Sequence, residues 1–249
     1  MLANLTNQTY RQLCTEFYDI SKPRASEEEV NFYKARLNDL NQPVLEAMCG
    51  SGRLLIPLAE AGVKVDGVDN SPYMLASCRQ RLLEHLTVNL YEQSLQTMQL
   101  PNRYSAIIIA VGSFQLITNR EEANLALQNL KSHLMPGGKL LINTFIPWGA
   151  LSMDEEPSTH EINASNGNII KNTCHYKVNK IEQYYDSHFI YEKIKNGDVM
   201  QTEQEQMRIC WYYKYEFAML LELAGLHSIK MYDTNFEVNP GSLVYEVVA

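Results

Sequence analysis

From Val44 onward the chain alternates between two hydrophobic rhythms. Val44–Met48 is a short apolar run after Pro43, and Leu54–Ala61 carries apolar residues at helical spacing and stops at Gly62. Val63–Val68 alternates as a strand. Ser71 followed by Pro72 then gives an N-cap with proline at the first helical position, so a helix is predicted to about His85. Thr87–Tyr91 and Tyr104–Val111 read as third and fourth strands, the latter apolar on consecutive positions as buried parallel strands are. Glu121–Leu134 reads as a helix stopped by Pro136-Gly137-Gly138, and Lys139–Phe145 as a fifth strand. Five strands alternating with helices predict a parallel sheet with helices on both faces.

The flanks follow other patterns. Residues 1–42 are polar and irregular, with the acidic run Glu27–Glu29 opening a predicted helix through Leu40. Residues 147–206 break the rhythm: Asn166-Gly167 and Asn196-Gly197 are hairpin-turn dipeptides, each flanked by alternating apolar and polar positions. They predict a meander of roughly four antiparallel strands from about Thr159 to Trp211. Tyr212–Ala224 is then a helix closed by Gly225, and His227–Phe236 with Leu243–Val248 forms a last hairpin around Asn239-Pro240-Gly241. The expected organisation is an N-terminal helical cap (1–42), an α/β core (43–146), an antiparallel β insertion (147–211), and a C-terminal helix and hairpin completing the core sheet (212–249).

Composition narrows the choice of partner. The 249 residues are 45% hydrophobic and 20% charged, as in ordinary globular proteins. Twenty-one basic against 29 acidic side chains give a formal charge of −8, which repels phosphate backbones and anionic headgroups. A small-molecule partner is therefore expected, with no nucleic acid and no membrane. The start, MLANLTNQTYRQ, has neither a basic leader nor an apolar h-region, and the longest apolar run, Ala106–Val111, is too short to span a bilayer. The five scattered cysteines form no CxxC pair and no metal spacing with histidine, so a reduced, cytoplasmic protein without a metal site is expected.

The chemistry concentrates in VLEAMCGSGRLLIPLAEAGVKVDGVDNSPYML, Val44 to Leu75. A strand ends at Glu46, a tight turn holds Gly50 and Gly52, and a helix follows; glycines there let a backbone approach a ligand and expose N–H groups at the helix start. Asp69, at the end of the second strand, can accept both hydroxyls of a ribose. A nicotinamide site would want a third glycine where Leu55 stands. The carboxylate of Glu46 suits a cationic amino group, which S-adenosylmethionine carries and NAD does not.

With these residues the sequence resembles the class I S-adenosylmethionine-dependent methyltransferases, particularly small-molecule enzymes with a β insertion after the fifth strand. Glu46-Ala47-Met48-Cys49-Gly50-Ser51-Gly52 is similar to that family's E-x-G-x-G-x-G motif, with Met48 in place of the first glycine. The resemblance implies a Rossmann-like seven-stranded mixed sheet with an antiparallel β-meander insertion. It also implies S-adenosyl-L-methionine as cofactor and S-adenosyl-L-homocysteine as product. Glu46, Ala47, Gly50, Ser51, Gly52 and Arg53 would line the cofactor at the first turn, Asp69 would hold the ribose, and Asn70 and Met74 would lie near adenine. Ser94-Leu95 stands where the family has an acidic and an apolar residue beside the adenine ring, and Ser94 is equally readable as a turn residue. Ala110-Val111-Gly112-Ser113-Phe114 resembles the fourth-strand signature, implying cofactor contacts from Ala110, Gly112 and Phe114.

Methyl transfer needs alignment more than acid–base machinery. Tyr18, on the N-terminal segment, and His188, in the meander, are the candidates for contact with the reacting groups. Tyr10, Tyr184, Tyr185, Tyr212 and Tyr213 also flank the inferred active face, where aromatic rings attract cations. The insertion is expected either to cover the strand ends or to mediate a homodimer. The competing readings are a non-catalytic cofactor-binding or protein-interaction module, and an NAD-dependent oxidoreductase.

Overall fold

The computed structural model describes residues 9–37, 39, 41–152, 156–234 and 241–248. Seven strands form one mixed sheet: β1 (Val44–Ala47), β2 (Val65–Asp69), β3 (Leu90–Glu92), β4 (Tyr104–Ile109), β5 (Leu134–Thr144), β10 (His227–Asp233) and β11 (Leu243–Val248), in the order β10-β11-β5-β4-β1-β2-β3. β1 to β5 are parallel, and β11 runs antiparallel between β5 and β10. Alternate side chains feed two layers. Leu45, Ala47, Ile107, Ile109, Leu140 and Ile142 pack on α5 (Arg120–Ser132) and α7 (Lys214–Leu223). Val44, Val65, Ala106, Ile108 and Leu141 pack on α2 (Glu27–Lys34), α3 (Leu55–Glu60) and α4 (Pro72–Arg81). The strand order reverses between β1 and β4, and such a switch point opens a crevice at the carboxyl ends of the strands.

Between β5 and α7, after the short helix α6 (Trp148–Ser152), lies the expected insertion. It is an antiparallel sheet of β6 (Ser158–Asn163), β7 (Ile169–Asn179), β8 (Tyr184–Lys195) and β9 (Asp198–Cys210). Asn166-Gly167 and Asn196-Gly197 turn two of its connections, each residue at positive φ. The inner face of this sheet carries α1 (Gln12–Ser21), whose Leu13 and Cys14 pack with Ile170 and Tyr191.

Several element limits differ from expectation for local reasons. α1 has no counterpart in the sequence reading. The helix expected through Leu40 ends at Lys34, where Ala35–Leu37 tighten into turns; Leu40 itself lies outside the described residues, as do Phe236, Asn239 and Pro240 of the expected last hairpin. α4 ends at Arg81 because Leu82 leaves the helix with extended geometry, ψ 133°. Pro136-Gly137-Gly138 does not stop the chain before a strand; it lies within β5, which pairs with Tyr104 at Leu134 and then shifts register before Ala106. The glycine is needed there, since a Cβ on Gly138 would lie 2.9 Å from the Met135 carbonyl oxygen.

The two ends of the insertion are fastened by one side chain. Gln115, fully buried in the 3₁₀ turn Ser113–Leu116 after β4, donates from Nε2 to the carbonyls of Phe145 (3.0 Å) and Cys210 (2.8 Å). Its Oε1 accepts from the Phe145 N–H at 2.8 Å. Gln115→Leu would orphan the buried Cys210 carbonyl and the two half-buried backbone groups of Phe145, together worth about 3 kcal/mol. At roughly 2–4 °C per kcal/mol for a chain of this size, we expect Tm to fall by at least about 6 °C in a thermal melt. Gln115→Glu, which keeps the acceptor and loses both donors, should fall comparably; a Tm within 2 °C of wild type in both would refute the fastening role.

Candidate functional site

A cleft of about 760 Å³ opens at the carboxyl ends of β1, β2 and β4. Its inner wall is the turn after β1. Met48 (φ 58°), Gly50 (φ 55°) and Gly52 (φ 84°) all take left-handed backbone there, so Met48 adopts the geometry a glycine would ordinarily supply. A Cβ on Gly52 would lie 2.7 Å from the Cys78 sulfur, which ties this glycine to the packing of the turn on α4.

Glu46 lines the cleft at the end of β1. It is only 4% exposed, and among the described residues its Oε2 has no hydrogen-bond partner. Burial pushes its carboxyl well above the usual range, Arg53 pulls it back, and the charges of Glu29 and Asp69 push it further up. Such an atom is costly unless a donor or cation meets it. Asp69 accepts from the Gly50 N–H through Oδ2 and from the Ser71 N–H through Oδ1, both at 2.8 Å. Burial raises its carboxyl, and the N–H groups of Ser71, Gly50 and Asn70 partly offset that rise. The bonds show Asp69 bracing both the turn after β1 and the start of α4, where Ser71 is the N-cap. Each carboxylate oxygen keeps further lone-pair capacity, and Asp69 is among the residues lining the cleft.

Asn70, Met74, Ser94, Leu95, Ala110 and Tyr18 also line the cleft. Gly50 lines it as well, whereas Ala47, Ser51, Gly52, Gly112 and Phe114 do not. Ala47 is enclosed in the core, and Ser51 is buried with its carbonyl and hydroxyl oxygens accepting from Arg81 at 3.1 Å. Gly112 faces Phe145, whose ring would lie 2.4 Å from an added Cβ, and Phe114 stacks edgewise on Phe217 at 5.6 Å. Arg53 reaches the cleft, but its guanidinium forks onto the buried carboxylate of Glu29 at 2.6 and 2.8 Å. His188 lies on β8 in the lining of a neighbouring hollow, which Arg208 joins to the cleft, and is not itself among the residues lining the cleft. Gln93 lines the cleft beside Ser94, with its amide bonded to the backbone of Gln99.

The sequence reading missed the far wall, formed by Ser113, Leu116–Asn119 and Glu122, and the cation Arg208 of β9. Asn119 and Glu122 had a readable signal, the N-cap pattern N-x-x-E before an amphipathic run: Asn119 Oδ1 accepts from the N–H groups of Glu121 and Glu122 at 2.9 and 3.0 Å. Arg208 had none, because only the insertion's fold brings it there.

The segment Thr9–Ser21 closes the cleft from above, with Tyr10 and Tyr18 among its lining. α1 has no side-chain cap of its own. Instead β9 supplies two carboxylates: Glu205 accepts from the N–H groups of Tyr10 (3.0 Å) and Arg11 (2.7 Å), and Glu203 from those of Leu13 (3.2 Å) and Cys14 (2.8 Å). These satisfy orphan donors of the first turn and complement its dipole. The Tyr10 carbonyl accepts from Ser71 Oγ at 2.8 Å, and Asp19 pairs with Arg81 at 3.0 Å, so the strap is pinned to α4 at both ends. Glu203→Ala combined with Glu205→Ala should free Thr9–Ser21, read as at least tenfold faster amide hydrogen exchange there, with β1 and β4 unchanged; unaltered exchange in α1 would refute the pinning.

Comparison with known proteins agrees with this geometry. The family profile described as a methyltransferase domain matches residues 44–138. A curated relative, the dTDP-3-amino-3,6-dideoxy-alpha-D-glucopyranose N,N-dimethyltransferase of Streptomyces fradiae, is 28% identical over 105 residues, 42% of this chain and 39% of the relative. The match thus spans about two fifths of that relative's length. Among solved structures, an S-adenosylmethionine-dependent methyltransferase from Clostridium acetobutylicum superposes with a TM-score of 0.74 at 15% identity, covering 93% of this chain and 96% of the other. An amino pentose methyltransferase from Micromonospora echinaspora, solved with S-adenosylmethionine bound, gives 0.71 at 17% identity, covering 95% and 97%. These structural likenesses concern the fold, including the β insertion. Among the described residues no helix is long and apolar enough to cross a membrane, and no cluster of three metal-ligating side chains occurs.

Proposed function

We propose that this chain, whose residues 44–138 form a methyltransferase domain within a class I methyltransferase fold, transfers a methyl group from S-adenosylmethionine to a small-molecule amine. The observation that carries the reading is the unpartnered, buried carboxylate oxygen of Glu46 at the switch point of the sheet. An ammonium group satisfies it, whereas a diphosphate would be repelled, which separates this site from a dinucleotide site.

The residues present fit the donor. Glu46 would hold its ammonium group, Asp69 its ribose hydroxyls, and Met74 and Leu95 would flank its base, with Asn70 and Ser94 at the edge. When bound, S-adenosylmethionine supplies a methyl already activated by the sulfonium charge. The chain's own task is then alignment, which can remove about 7–11 kcal/mol of a barrier. Tyr10 and Tyr18, held over the cleft by the strap and packed edge to face at 6.3 Å, would exclude water and add aromatic rings that attract positive charge. Tyr18 keeps its place as the candidate for contact with the reacting groups, while His188 does not, because it lies outside the cleft.

Two considerations favour an amine over a hydroxyl. Glu46, Asp69 and Glu122 make the lining acidic, which concentrates cationic acceptors, and an amine can surrender its proton to water before transfer. The curated relative and one of the solved structures are named for amino-sugar acceptors. We further propose that the protein acts in the cytoplasm, with the insertion serving as cover over the site.

Calorimetry with S-adenosylhomocysteine and a tritiated-methyl assay against pools of primary and secondary amines test the proposal together. Glu46→Gln and Asp69→Ala should each weaken cofactor binding at least tenfold, since each removes charge-assisted hydrogen bonds worth about 1.5–3 kcal/mol. Unchanged affinity in both variants would overturn the site assignment, and tight binding without transfer to any acceptor would favour a non-catalytic module.

A further inference from the structure

We propose that Arg208 is the anion-holding end of the acceptor site, so that the acceptor is an amine whose other end carries an oxyanion, phosphate or carboxylate. This rests on the methyl-transfer reading and gives its acceptor a second chemical handle.

Among the described residues, Arg208 alone lines both the large cleft and a neighbouring hollow of about 330 Å³ on the insertion. Its guanidinium is fixed before any ligand arrives. Asp186 accepts from Nε at 2.6 Å and from Nη2 at 2.7 Å, and the ring of Tyr184 lies 3.8 Å from the guanidinium carbon. One edge and one face are thereby used, while the two Nη1 hydrogens remain for a ligand; a planar fork held this way suits an oxyanion. By contrast, Arg53 spends both of its terminal nitrogens on Glu29.

Strand register extends the donor set. Lys177 lies opposite Asp186, which lies opposite Arg208; in the adjacent row His175 lies opposite His188, which lies opposite Gln206. These six side chains share one face of the insertion sheet, and five of them can donate a hydrogen bond. Asp186 offsets one of the two permanent positive charges and leaves the other. The alternation of β9 sends Glu203 and Glu205 to the opposite face, where they cap α1, so acids and bases are sorted onto opposite sides of the same strand.

The cleft is thus polarised along its length. Glu46, Asp69 and Glu122 favour positive charge, and at Arg208 the lining passes into a donor-rich hollow. An acceptor with an amine at one end and an oxyanion at the other is oriented by that gradient, its amine toward the methyl donor. This also gives His175 and His188 a use that acid–base catalysis does not.

The test is titration of the full chain, saturated with S-adenosylhomocysteine, by pyrophosphate in one arm and succinate in the other, followed by calorimetry. At least one arm should bind, and the stronger arm identifies the oxyanion. Arg208→Gln should weaken that binding at least tenfold and Lys177→Gln at least threefold, each with S-adenosylhomocysteine affinity within twofold of wild type. Lys177 is exposed, so its variant keeps the test valid if Arg208→Gln folds poorly. Absence of binding in both arms, or equal binding by wild type and both variants, overturns the proposal. Failure of the wild type to bind S-adenosylhomocysteine would strike the methyl-transfer reading and is seen separately, before either anion is added.

Discussion

The side-chain amide of Gln115 joins three segments that are distant in sequence: the turn after β4, the end of β5 and the end of β9. It sits where the chain leaves the core sheet for the insertion and where it returns. The bond to Cys210 is buried and the two to Phe145 are half-buried, so without Gln115 these backbone groups would lack a protein partner where water reaches them poorly. Because the same turn begins the far wall of the cleft, the position of the insertion and the shape of the cleft are set together. Arg208 lies two residues before Cys210, whose carbonyl Gln115 holds, and so reaches the cleft from a strand whose exit is fixed to the core.

From that fixed strand the dependence continues outward. Glu203 and Glu205 of β9 cap a helix that supplies no cap of its own, and that helix carries Tyr18, with Tyr10 just before it, over the cleft. Core, insertion and strap thus form a chain of supports. The core turn holds the insertion, the insertion starts the strap, and the strap returns to the core through Ser71 and Asp19. A closed loop of this kind makes the cover conditional on the insertion's fold, although the two are separated by most of the sequence.

How much was legible follows from where each stabilising partner lies. That Glu46, Gly50 and Asp69 meet at one cleft was readable because a strand end, a tight turn and the next strand end are local features contained in one segment. The hairpins at Asn166-Gly167 and Asn196-Gly197 were readable because only a few residue types accept positive φ there. α1 was not, since the carboxylates that start it come from β9, some 190 positions away in sequence. The pairing of Arg53 with Glu29 was not readable, because nothing near Arg53 in sequence announces that partner. Pro136-Gly137-Gly138 read as a stop because local propensity ignores the partner strand, which accommodates the bulge through a shifted register.

Met48 shows how a departure from a motif can leave its geometry intact. Seven non-glycine residues among those described have positive φ, and three of them, Tyr10, Met48 and Val111, line the cleft. Strain of this kind costs about 1–3 kcal/mol per residue and persists only where the surroundings over-determine the conformation. Here they do. Met48 packs against one hydrophobic layer and Val111 against the other, while Tyr10 is bound through its N–H to Glu205 and through its carbonyl to Ser71. A glycine at position 48 would relieve the backbone but remove the side chain that anchors the turn to the core. The chain therefore holds rigid backbone on three sides of the cleft by packing and hydrogen bonding, and at the first turn a methionine does by contact what a glycine would do by conformational freedom.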